Sequence, residues 1–381
     1  MAVDFSKIPS PCYVLDEALL RRNLEIISRV RNEAGIEIIL ALKGFAMWSV
    51  FQIIKEYDFN YASASSYNEA RLAFEVMGTM AHTYCPAYGE RDFDKIIKLS
   101  SHISFNSLTQ FEKFFPAIKK SGKKISPGLR VNPEFSEVKT VLYNPCAPGS
   151  RLGVVASQLG KNIPGSIEGL HFHTLCESSS YDLEKTLAAF EKNFGHLLSQ
   201  VKWVNFGGGH LMTNNGYDIT HLINTLKGFK QRHPHLNVIL EPGAAFAWET
   251  GYLVSTVLDI VENHGIMTAM LDVSFTAHMP DCLEMPYKPA IINATDETKG
   301  KPTYRMGGNS CLSGDYMGNW SFDHELKVGD LIVFNDMIHY TMVKTTTFNG
   351  VQHPSIGIWN DKTGFRLVRE FGYEDYKNRL S

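Results

Sequence analysis

Several features that mark particular protein classes are missing from this sequence. It has six cysteines among 381 residues and no C-x-x-C pair, so neither a disulfide framework nor a cysteine zinc site is expected. No apolar run approaches the roughly 18 residues of a membrane-spanning helix, and residues 1–11 lack the apolar stretch of a signal peptide. We therefore expect a reduced, cytoplasmic protein that does not enter the membrane.

An excess of positive charge is missing as well. Lys and Arg total 37 against 40 Asp and Glu, so the net charge at pH 7 is −3. Without a basic surface the chain is not expected to bind nucleic acid. Its residues, 44% hydrophobic and 20% charged, are typical of a globular protein, and the length is enough for a large core in two domains.

Eight short apolar segments recur before residue 245, most of them followed by an amphipathic helical pattern. Their continuous hydrophobicity is typical of parallel strands covered by helices, and eight such units predict a (β/α)8 barrel over residues 16–245. An open doubly wound sheet is the alternative, but no G-x-G-x-x-G follows the first strand. The predicted strands are Glu37–Lys43, Tyr61–Ser65, His82–Ala87, His102–Ser107, Ile125–Asn132, Ile167–His173, Lys202–Gly209 and Asn237–Gly243.

The pattern changes after Gly251 to separate strands with turns between them. This predicts an antiparallel β domain over residues 246–381, joined by an N-terminal strand segment, residues 1–15. The predicted strands are Tyr252–Val261, Met267–Val273, Thr303–Met306, Leu331–Phe334 and Ser355–Trp359, with Pro11–Leu15 as a further candidate. The segment after Asn360 mixes charged and aromatic residues and is expected at the surface.

Lys43 ends the first predicted barrel strand. An unpaired ammonium is costly to bury, so this side chain must reach solvent or lose its charge. Reaching solvent by extending the stem is the ordinary outcome at a strand end. A neutral amine is instead the group that forms a Schiff base with a carbonyl cofactor, and barrel enzymes place their sites at the carboxyl ends of the strands.

Two further motifs also follow barrel strands. Gly207, Gly208 and Gly209 would let backbone N–H groups converge on a phosphate, although a plain glycine-rich turn is an equal alternative. Glu241, in the sequence Leu-Glu-Pro-Gly that ends at Gly243, could accept a hydrogen bond from a protonated pyridine nitrogen. The alternative is a structural ion pair with a nearby arginine.

His173 ends the sixth predicted strand in a His-Phe-His sequence that begins at His171. A flat imidazole can pack on the face of a cofactor ring, or it can simply be hydrogen-bonded at the rim. The H-x-H spacing also suggests a metal site. Because no carboxylate pair accompanies it at ligand spacing, we predict no metal.

The β domain contributes a loop of small residues with a thiol, Cys311, and a carboxylate, Asp315. A cysteine in a glycine-rich loop is as readily functional as structural. Tyr340 follows the strand Leu331–Phe334 and could be a core residue or could donate its hydroxyl to a phosphate. Arg305, just before the loop, could hold a carboxylate or form a structural ion pair.

Taken together and in order, these motifs resemble the fold type III pyridoxal phosphate decarboxylases, which include the ornithine, arginine and diaminopimelate decarboxylases. The resemblance implies an alanine-racemase-like (β/α)8 barrel with a β domain, and pyridoxal 5'-phosphate (PLP) as cofactor. Within the family, residues 169–177 and 311–315 are most similar to the members that act on a small-molecule carboxylated polyamine. The motifs are Ala41-Leu42-Lys43, Gly207-Gly208-Gly209, Glu241-Pro242-Gly243, Cys311 with Asp315, and Gly329-Asp330 through Tyr340.

The resemblance also implies a role for each matching residue. Lys43 would form the Schiff base, His173 would stack on the cofactor ring, and Glu241 would hold the pyridine nitrogen. Cys311 would reach the site of the partner subunit in a homodimer with shared active sites and return a proton there. The remaining assignments are Gly207, Gly208, Gly209, Gly243 and Tyr340 for the cofactor, and Asp315, Arg305 and Glu177 for the substrate.

Two departures from the family pattern bear on these roles. Ala244 stands where the family usually has an arginine, so phosphate binding would depend more on backbone amides. Leu312 stands where diaminopimelate decarboxylases usually have a glutamate, which disfavours a substrate with an amino-acid group at its far end. We therefore expect decarboxylation of carboxynorspermidine or carboxyspermidine to norspermidine or spermidine. Diaminopimelate or another basic amino acid is the alternative substrate.

Other functions fit the sequence less well. An amino-acid racemase of the same fold would need a tyrosine base where Cys311 lies. A non-catalytic cofactor carrier would lack the β domain predicted around residues 303–340. A metal-dependent barrel hydrolase is an unrelated third alternative, which the absorbance of bound PLP would exclude.

Overall fold

The computed structural model describes residues 3–381, in which the chain divides into two compact units. Residues 23–246 form what we call the barrel unit, and residues 3–22 with 247–381 form the sheet unit. Met1 and Ala2, which begin the predicted segment 1–15, lie outside the described residues. Within residues 3–381, no helix combines the length and apolarity needed to cross a membrane.

The strands are β1 (Cys12–Asp16), β2 (Glu37–Ile38), β3 (Leu40–Ala41), β4 (Ala62–Ala64), β5 (Ala81–Tyr84), β6 (Ser100–Phe105), β7 (Ser126–Asn132), β8 (Val154–Val155), β9 (Gly169–His171), β10 (Trp203–Asn205), β11 (Asn237–Leu240), β12 (Gly251–Asn263), β13 (Ile266–Leu271), β14 (Ala294–Thr295), β15 (Thr303–Gly307), β16 (Tyr316–Phe322), β17 (Leu331–Asn335), β18 (Ser355–Asn360) and β19 (Gly364–Arg369). The α-helices are α1 (Glu17–Ala34), α2 (Phe51–Lys55), α3 (Tyr67–Leu72), α4 (Glu90–Leu99), α5 (Leu108–Ser121), α6 (Ser180–Phe194), α7 (Ile219–Arg232), α8 (Ala244–Ala247), α9 (Phe275–His278), α10 (Pro280–Glu284), α11 (Tyr340–Val343) and α12 (Tyr373–Leu380). A π-helical turn, Ala73–Met77, extends α3, and short 3-10 turns span Phe5–Lys7, Trp48–Val50, Val141–Tyr143, Ala156–Gln158, Gly195–Gln200 and Phe348–Gly350.

Helix α1 confirms the first helical prediction. Oδ1 of Asp16 accepts the backbone N–H of Ala18 over 2.9 Å and that of Leu19 over 3.3 Å, so Asp16 is the N-cap. The predicted apolar stripe is fully buried, as expected of an amphipathic helix against a core. Its members are Leu20, Leu24, Ile27 and Val30.

The sheet of the barrel unit closes on itself. Its parallel strands run β2-β11-β10-β9-β7-β6-β5-β4-β3, and β2 and β3 are consecutive pieces of one stretch, residues 37–41. That stretch pairs with β11 on one side and with β4 on the other. Each of the eight predicted strands overlaps a strand of the wall, the first of them two consecutive pieces, so the (β/α)8 prediction is confirmed.

Alternation along β9 and the residues after it directs side chains to opposite faces of the barrel wall. Phe172 packs on Phe206 with ring centroids 5.2 Å apart and on Phe190 of α6 at 4.9 Å. Because Phe172 belongs to this aromatic layer, its neighbours His171 and His173 point the other way, toward Glu241. The apolar packing of the wall thus aims two imidazoles at the carboxyl end of the barrel.

The sheet unit is mixed rather than wholly antiparallel, which corrects one part of the prediction. Of the eight strand pairs within its described residues, β1 with β18 and β13 with β15 are parallel. β1 lies between β12 and β18, so the N-terminal segment does supply a strand. β14, β16 and β19 were not predicted, and β19 and α12 lie in the segment after Asn360 that was expected only to be surface.

Candidate active site

Three predicted site residues from separate strands meet at the carboxyl end of the barrel. Nζ of Lys43, two residues beyond β3, lies 3.2 Å from Nε2 of His173. Oε1 of Glu241 lies 3.7 Å from Nδ1 of His173 and 3.4 Å from Nε2 of His171. Residues that are far apart in the chain therefore form one cluster of an amine, two imidazoles and a carboxylate.

The backbone of the glycine loop fixes the tautomer of His173. The N–H of Gly208 donates to Nδ1 of His173 over 2.9 Å, so Nδ1 is an acceptor and the proton of the neutral ring is on Nε2. The Nε2–H of His173 faces Nζ of Lys43. A neutral amine can accept this hydrogen bond, whereas an ammonium cannot. Burial lowers the pKa of Lys43, with the Glu241 carboxylate opposing, and lowers the pKa of His173 to about 3. The geometry thus favours the uncharged, nucleophilic form of Lys43.

Glu241 is held as a carboxylate although it is buried. Burial alone would raise its pKa, but the adjacent His171 ring holds the pKa well below its ordinary value. Nδ2 of Asn205 also donates to Oε2 of Glu241 over 3.0 Å, which favours the charged form. An anionic acceptor is what a protonated ring nitrogen needs as a partner.

The glycine loop after β10 leaves no room for side chains. A Cβ on Gly208 would lie 2.5 Å from the carbonyl oxygen of Glu241, and a Cβ on Gly209, whose φ is +86°, would collide with the backbone of Leu175. The N–H of Gly207 donates to Oδ1 of Asn205 over 2.8 Å. Asn205 therefore joins the loop to Glu241. The N–H groups of Gly207 and Gly208 are both paired within the protein, and the loop presents no side chain that would obstruct a ligand.

Gly243 lies three residues beyond β11, the strand next to β10, and contacts the segment that carries Lys43. A Cβ on Gly243 would lie 2.9 Å from the Cα of Gly44, and the N–H of Ala41 donates to the carbonyl of Pro242 over 3.1 Å. This close approach brings the segment with Lys43 beside the segment with Glu241.

Sequence reasoning missed three residues of the site. Arg130, on β7, donates to the carbonyl of His173 over 3.1 Å and stacks on the ring of Tyr84 with 4.6 Å between its Cζ and the centroid. Arg130 is buried, and a buried arginine within an otherwise apolar strand was an available signal. Tyr84 and Asn205 offered none, because an isolated polar residue at a strand end has many ordinary roles. The cavity at the cluster is lined by Lys43, Ser63, Ala64, Ser65, Tyr84, Arg130, His171, His173 and Glu241.

The other predicted residues are described within their own units. Glu177 belongs to the barrel unit, is exposed, and follows β9 with a φ of +46°. Arg305 and Tyr340 belong to the sheet unit and are partly buried; the guanidinium of Arg305 lies over the ring of Tyr316, 4.6 Å from its centroid. Cys311 is exposed in the loop between β15 and β16.

Asp315 does not have the geometry predicted for it. It is only 4% exposed, and its two carboxylate oxygens accept the backbone N–H groups of Thr276 and Ser310, each over 3.0 Å. A buried carboxylate engaged in this way is not available to a substrate ammonium. The predicted contact between Asp315 and the substrate amine is therefore not supported.

Comparison with known families shows which protein family the chain belongs to. The family model described as pyridoxal-dependent decarboxylase, C-terminal sheet domain, matches residues 12–338. The chain belongs to the pyridoxal-dependent decarboxylases. This confirms the resemblance inferred from the motifs.

Similar members of the decarboxylase family match over nearly their whole length. The chain is 54% identical to the carboxyaminopropylagmatine decarboxylase of Synechocystis sp., over 98% of this chain and 96% of that protein. It is 44% identical to the carboxynorspermidine/carboxyspermidine decarboxylase of Campylobacter jejuni, over 98% and 99%. The crystal structure of the Campylobacter jejuni carboxynorspermidine decarboxylase complexed with norspermidine matches with a TM-score of 0.90 at 43% identity, covering 98% of this chain and 100% of that one.

The barrel unit of this decarboxylase fits the PLP that its family uses. The chemistry of the donor set agrees, because Lys43 offers a neutral amine for the aldehyde and Glu241 an anionic acceptor for the ring nitrogen. The backbone at Gly208 and Gly209, where a Cβ would collide, suits the phosphate. Arg130 supplies a buried cation in the same cavity.

The same cluster also contains the elements of a metal site. Ligand atoms of His171, His173 and Glu241 lie within 4.8 Å of one another. No carboxylate pair lies at ligand spacing from the two histidines in the sequence, but the barrel brings Glu241, from another strand, to both of them. However, Nδ1 of His173 and Oε2 of Glu241 already accept hydrogen bonds from Gly208 and Asn205, which favours the organic cofactor.

Proposed function

We propose that this protein uses PLP to remove the α-carboxylate of carboxynorspermidine or carboxyspermidine, giving norspermidine or spermidine. The observation that carries the proposal is the buried cluster in which the amine of Lys43 lies 3.2 Å from Nε2 of His173, and Nδ1 of the same ring lies 3.7 Å from the Glu241 carboxylate and accepts the N–H of Gly208. The names of relatives at 44% and 36% identity support the substrate class.

Each residue of the cluster has a defined task in this proposal. When bound, PLP supplies the electron sink for the electron pair left by departing CO2. The N–H on Nε2 of His173 favours an uncharged amine on Lys43, the form that reacts with a carbonyl group. Glu241, held anionic by Asn205 and His171, keeps the proton on the ring nitrogen. Arg130 holds the backbone of His173 in place through its carbonyl.

The proton that replaces CO2 must come from another group. We propose the thiol of Cys311, exposed in its loop, as the acid that delivers it to the α-carbon. We further propose a homodimer in which Cys311 of one protomer completes the site of the other, as the family resemblance implies. The six free cysteines support a reducing, cytoplasmic location.

A second candidate substrate is carboxyaminopropylagmatine, which differs in carrying a guanidinium at its far end. The 54% identity to the Synechocystis protein favours it. The diaminopimelate alternative has weaker support, since a diaminopimelate decarboxylase of Archaeoglobus fulgidus is 23% identical over 90% of this chain.

The test is a decarboxylation assay across a panel of these substrates. CO2 release and amine product would be measured with carboxynorspermidine, carboxyspermidine, carboxyaminopropylagmatine and diaminopimelate, with Lys43→Ala as the inactive control. We expect kcat/KM for a carboxylated polyamine to exceed that for diaminopimelate by at least about tenfold, the effect of roughly 1.4 kcal/mol. Preferred turnover of diaminopimelate would refute the substrate class, and preferred turnover of the guanidine would select the second candidate.

A further inference from the structure

The loop that carries Cys311 is held by two side chains that are not in the reacting cluster. We call residues 308–315 the Cys311 loop. Asp315 holds it from the interior of the sheet unit, and Asn349 holds it from the turn Phe348–Gly350. The loop has little apolar anchoring of its own, because residues 311–314 are all exposed.

Asp315 ties both ends of the loop to the core. Its carbonyl accepts the N–H of Gly308 over 2.7 Å, and its Oδ2 accepts that of Ser310 over 3.0 Å. Its Oδ1 accepts the N–H of Thr276 over 3.0 Å and lies 3.4 Å from the hydroxyl of the same residue. A Cβ on Gly308 would collide with the carboxylate, so the packing is close. These contacts make Asp315 an internal support for the residues flanking Cys311.

Asn349 contacts Cys311 itself. The backbone N–H of Cys311 donates to Oδ1 of Asn349 over 2.8 Å. Asn349 has a φ of +56°, a left-handed conformation that asparagine tolerates better than most residues. A tether on the amide of Cys311 limits the positions that its thiol can reach.

The turn that carries Asn349 is itself braced by the C-terminal helix. Nε of Arg379 donates to Oγ1 of Thr347 over 2.7 Å. The ring of Tyr376 lies against Gly350, with 3.3 Å between its Cζ and the position of an added Cβ. Helix α12, the turn and the Cys311 loop therefore form a continuous chain of contacts within the sheet unit.

We propose that Asn349 and Asp315 are positioning residues for Cys311, and that Asp315 acts through the loop rather than by binding the substrate amine. The inference rests on the proposed function only in taking Cys311 as the proton donor. A misplaced donor slows the proton step without changing how substrate is held, so both residues should affect kcat more than KM.

Variants of Asn349 separate its side-chain acceptor from its backbone conformation. Asn349→Gly keeps the left-handed φ without strain but removes the acceptor, whereas Asn349→Asp keeps both. In the full-length holoenzyme we expect kcat of Asn349→Gly to fall by about 3- to 10-fold, the effect of one hydrogen bond, with KM within twofold. Asn349→Asp should restore kcat to within twofold. The matched control is Asn293→Gly, an exposed asparagine of the same unit with a φ of +62°.

A second measurement is independent of turnover. Alkylation of Cys311 by iodoacetamide, followed by mass spectrometry, should be severalfold faster in Asn349→Gly than in the parent or in Asn349→Asp, because an untethered loop opens more often. The thermal midpoints of all variants would be compared. Unchanged kcat and unchanged alkylation in Asn349→Gly would overturn the role of Asn349.

Asp315→Asn tests the other half of the proposal. An amide can accept with only one of its two end atoms, so one of the two N–H groups now paired with the carboxylate loses its partner. We expect kcat to fall about tenfold with KM within twofold. A rise in KM specific to polyamine substrates, at unchanged kcat, would instead make Asp315 a substrate contact and overturn our assignment.

Cys311→Ala separates this inference from the proposed function. If Cys311→Ala retained full kcat, the proposed proton donor would be wrong. If Cys311→Ala lost activity while the Asn349 and Asp315 variants did not, only the positioning role of Asn349 and Asp315 would fail.

Discussion

The glycine loop allows a direct test of where the cofactor phosphate binds. Gly208 does not need a left-handed φ, so the effect of Gly208→Ala comes from the added methyl group alone. That Cβ would lie 2.5 Å from the carbonyl oxygen of Glu241 and 3.2 Å from Cε1 of His173. Both neighbours belong to the reacting cluster, and the first is backbone.

The size of the expected effect of Gly208→Ala depends on how far the neighbouring atoms can move. Real Cβ contacts essentially never fall below 3.0 Å, so the two segments must separate by at least about 0.5 Å. They are also joined by the N–H of Glu241, which donates to the carbonyl of Gly207 over 2.9 Å. Overpacking of this kind costs about 1–3 kcal/mol. If the loop binds the phosphate, displacing it by this amount should lower PLP affinity by up to roughly 5- to 150-fold.

The assay is a titration of the cofactor-free protein with PLP, followed by the absorbance of the bound cofactor. Gly195→Ala is the matched control, because Gly195 lies in the same unit in a helical conformation with no atom within 4 Å of an added Cβ. Thermal midpoints of both variants check that each is folded. If folded Gly208→Ala bound PLP as tightly as the control, the loop would not be the phosphate site.

The remaining predictions address the other parts of the site and the fold. Lys43→Ala should lose both turnover and the borohydride-reducible chromophore, and reductive labelling of another lysine would contradict the assignment. If active sites are shared, mixing Lys43→Ala with Cys311→Ala protomers should restore about a quarter of parent activity, because half of the dimers are mixed and each mixed dimer has one intact site of two. No recovery, with subunit exchange confirmed, would refute shared sites. Glu177→Gln should raise KM for polyamine substrates by roughly tenfold if this exposed carboxylate binds an amine, whereas Glu25→Gln, on an exposed face of α1, should not. Burial lowers the pKa of His102 from 6.5 to about 4, so on acidification the unfolded chain takes up this proton before the folded protein does. The free energy of unfolding should therefore fall between about pH 6.5 and 4, by about 3 kcal/mol when the titration is complete. His102→Asn should show a smaller loss of thermal midpoint from pH 7 to 5, and an unchanged loss would count against His102 as the origin.

The elements that the sequence predicted well are those with a local physical cause. The barrel strands β3 and β11 are short apolar runs, because both of their faces are covered. Helix α1 has its cap at Asp16 and its apolar stripe at helical spacing. The structure brings Lys43, His173 and Glu241 together for a similar reason, since a polar residue that ends an apolar strand of a barrel has only the rim to occupy.

Pairing partners in the sheet unit have no such local cause. β1 pairs in parallel with β18, whose residues are more than three hundred positions away, and nothing in either segment specifies the direction. β19 was missed because it buries little: none of its residues is fully buried, and its sequence mixes charges with aromatics. A strand held mainly by hydrogen bonds to its neighbour leaves a weak hydrophobic pattern.

Asp315 shows why residue type and position do not determine a role. A carboxylate in a loop of glycines and serines suits two tasks equally well in sequence: to face a cationic ligand, or to accept the amides of its own loop. The choice depends on whether Thr276, almost forty residues earlier, brings its N–H to the carboxylate, and on whether Gly308 leaves space for it. Arg130 is the converse case, since its cation is directed into the cavity by its place on a parallel strand and its stacking on Tyr84. In both cases a contact from another element decides whether a charged residue faces the ligand or supports the protein.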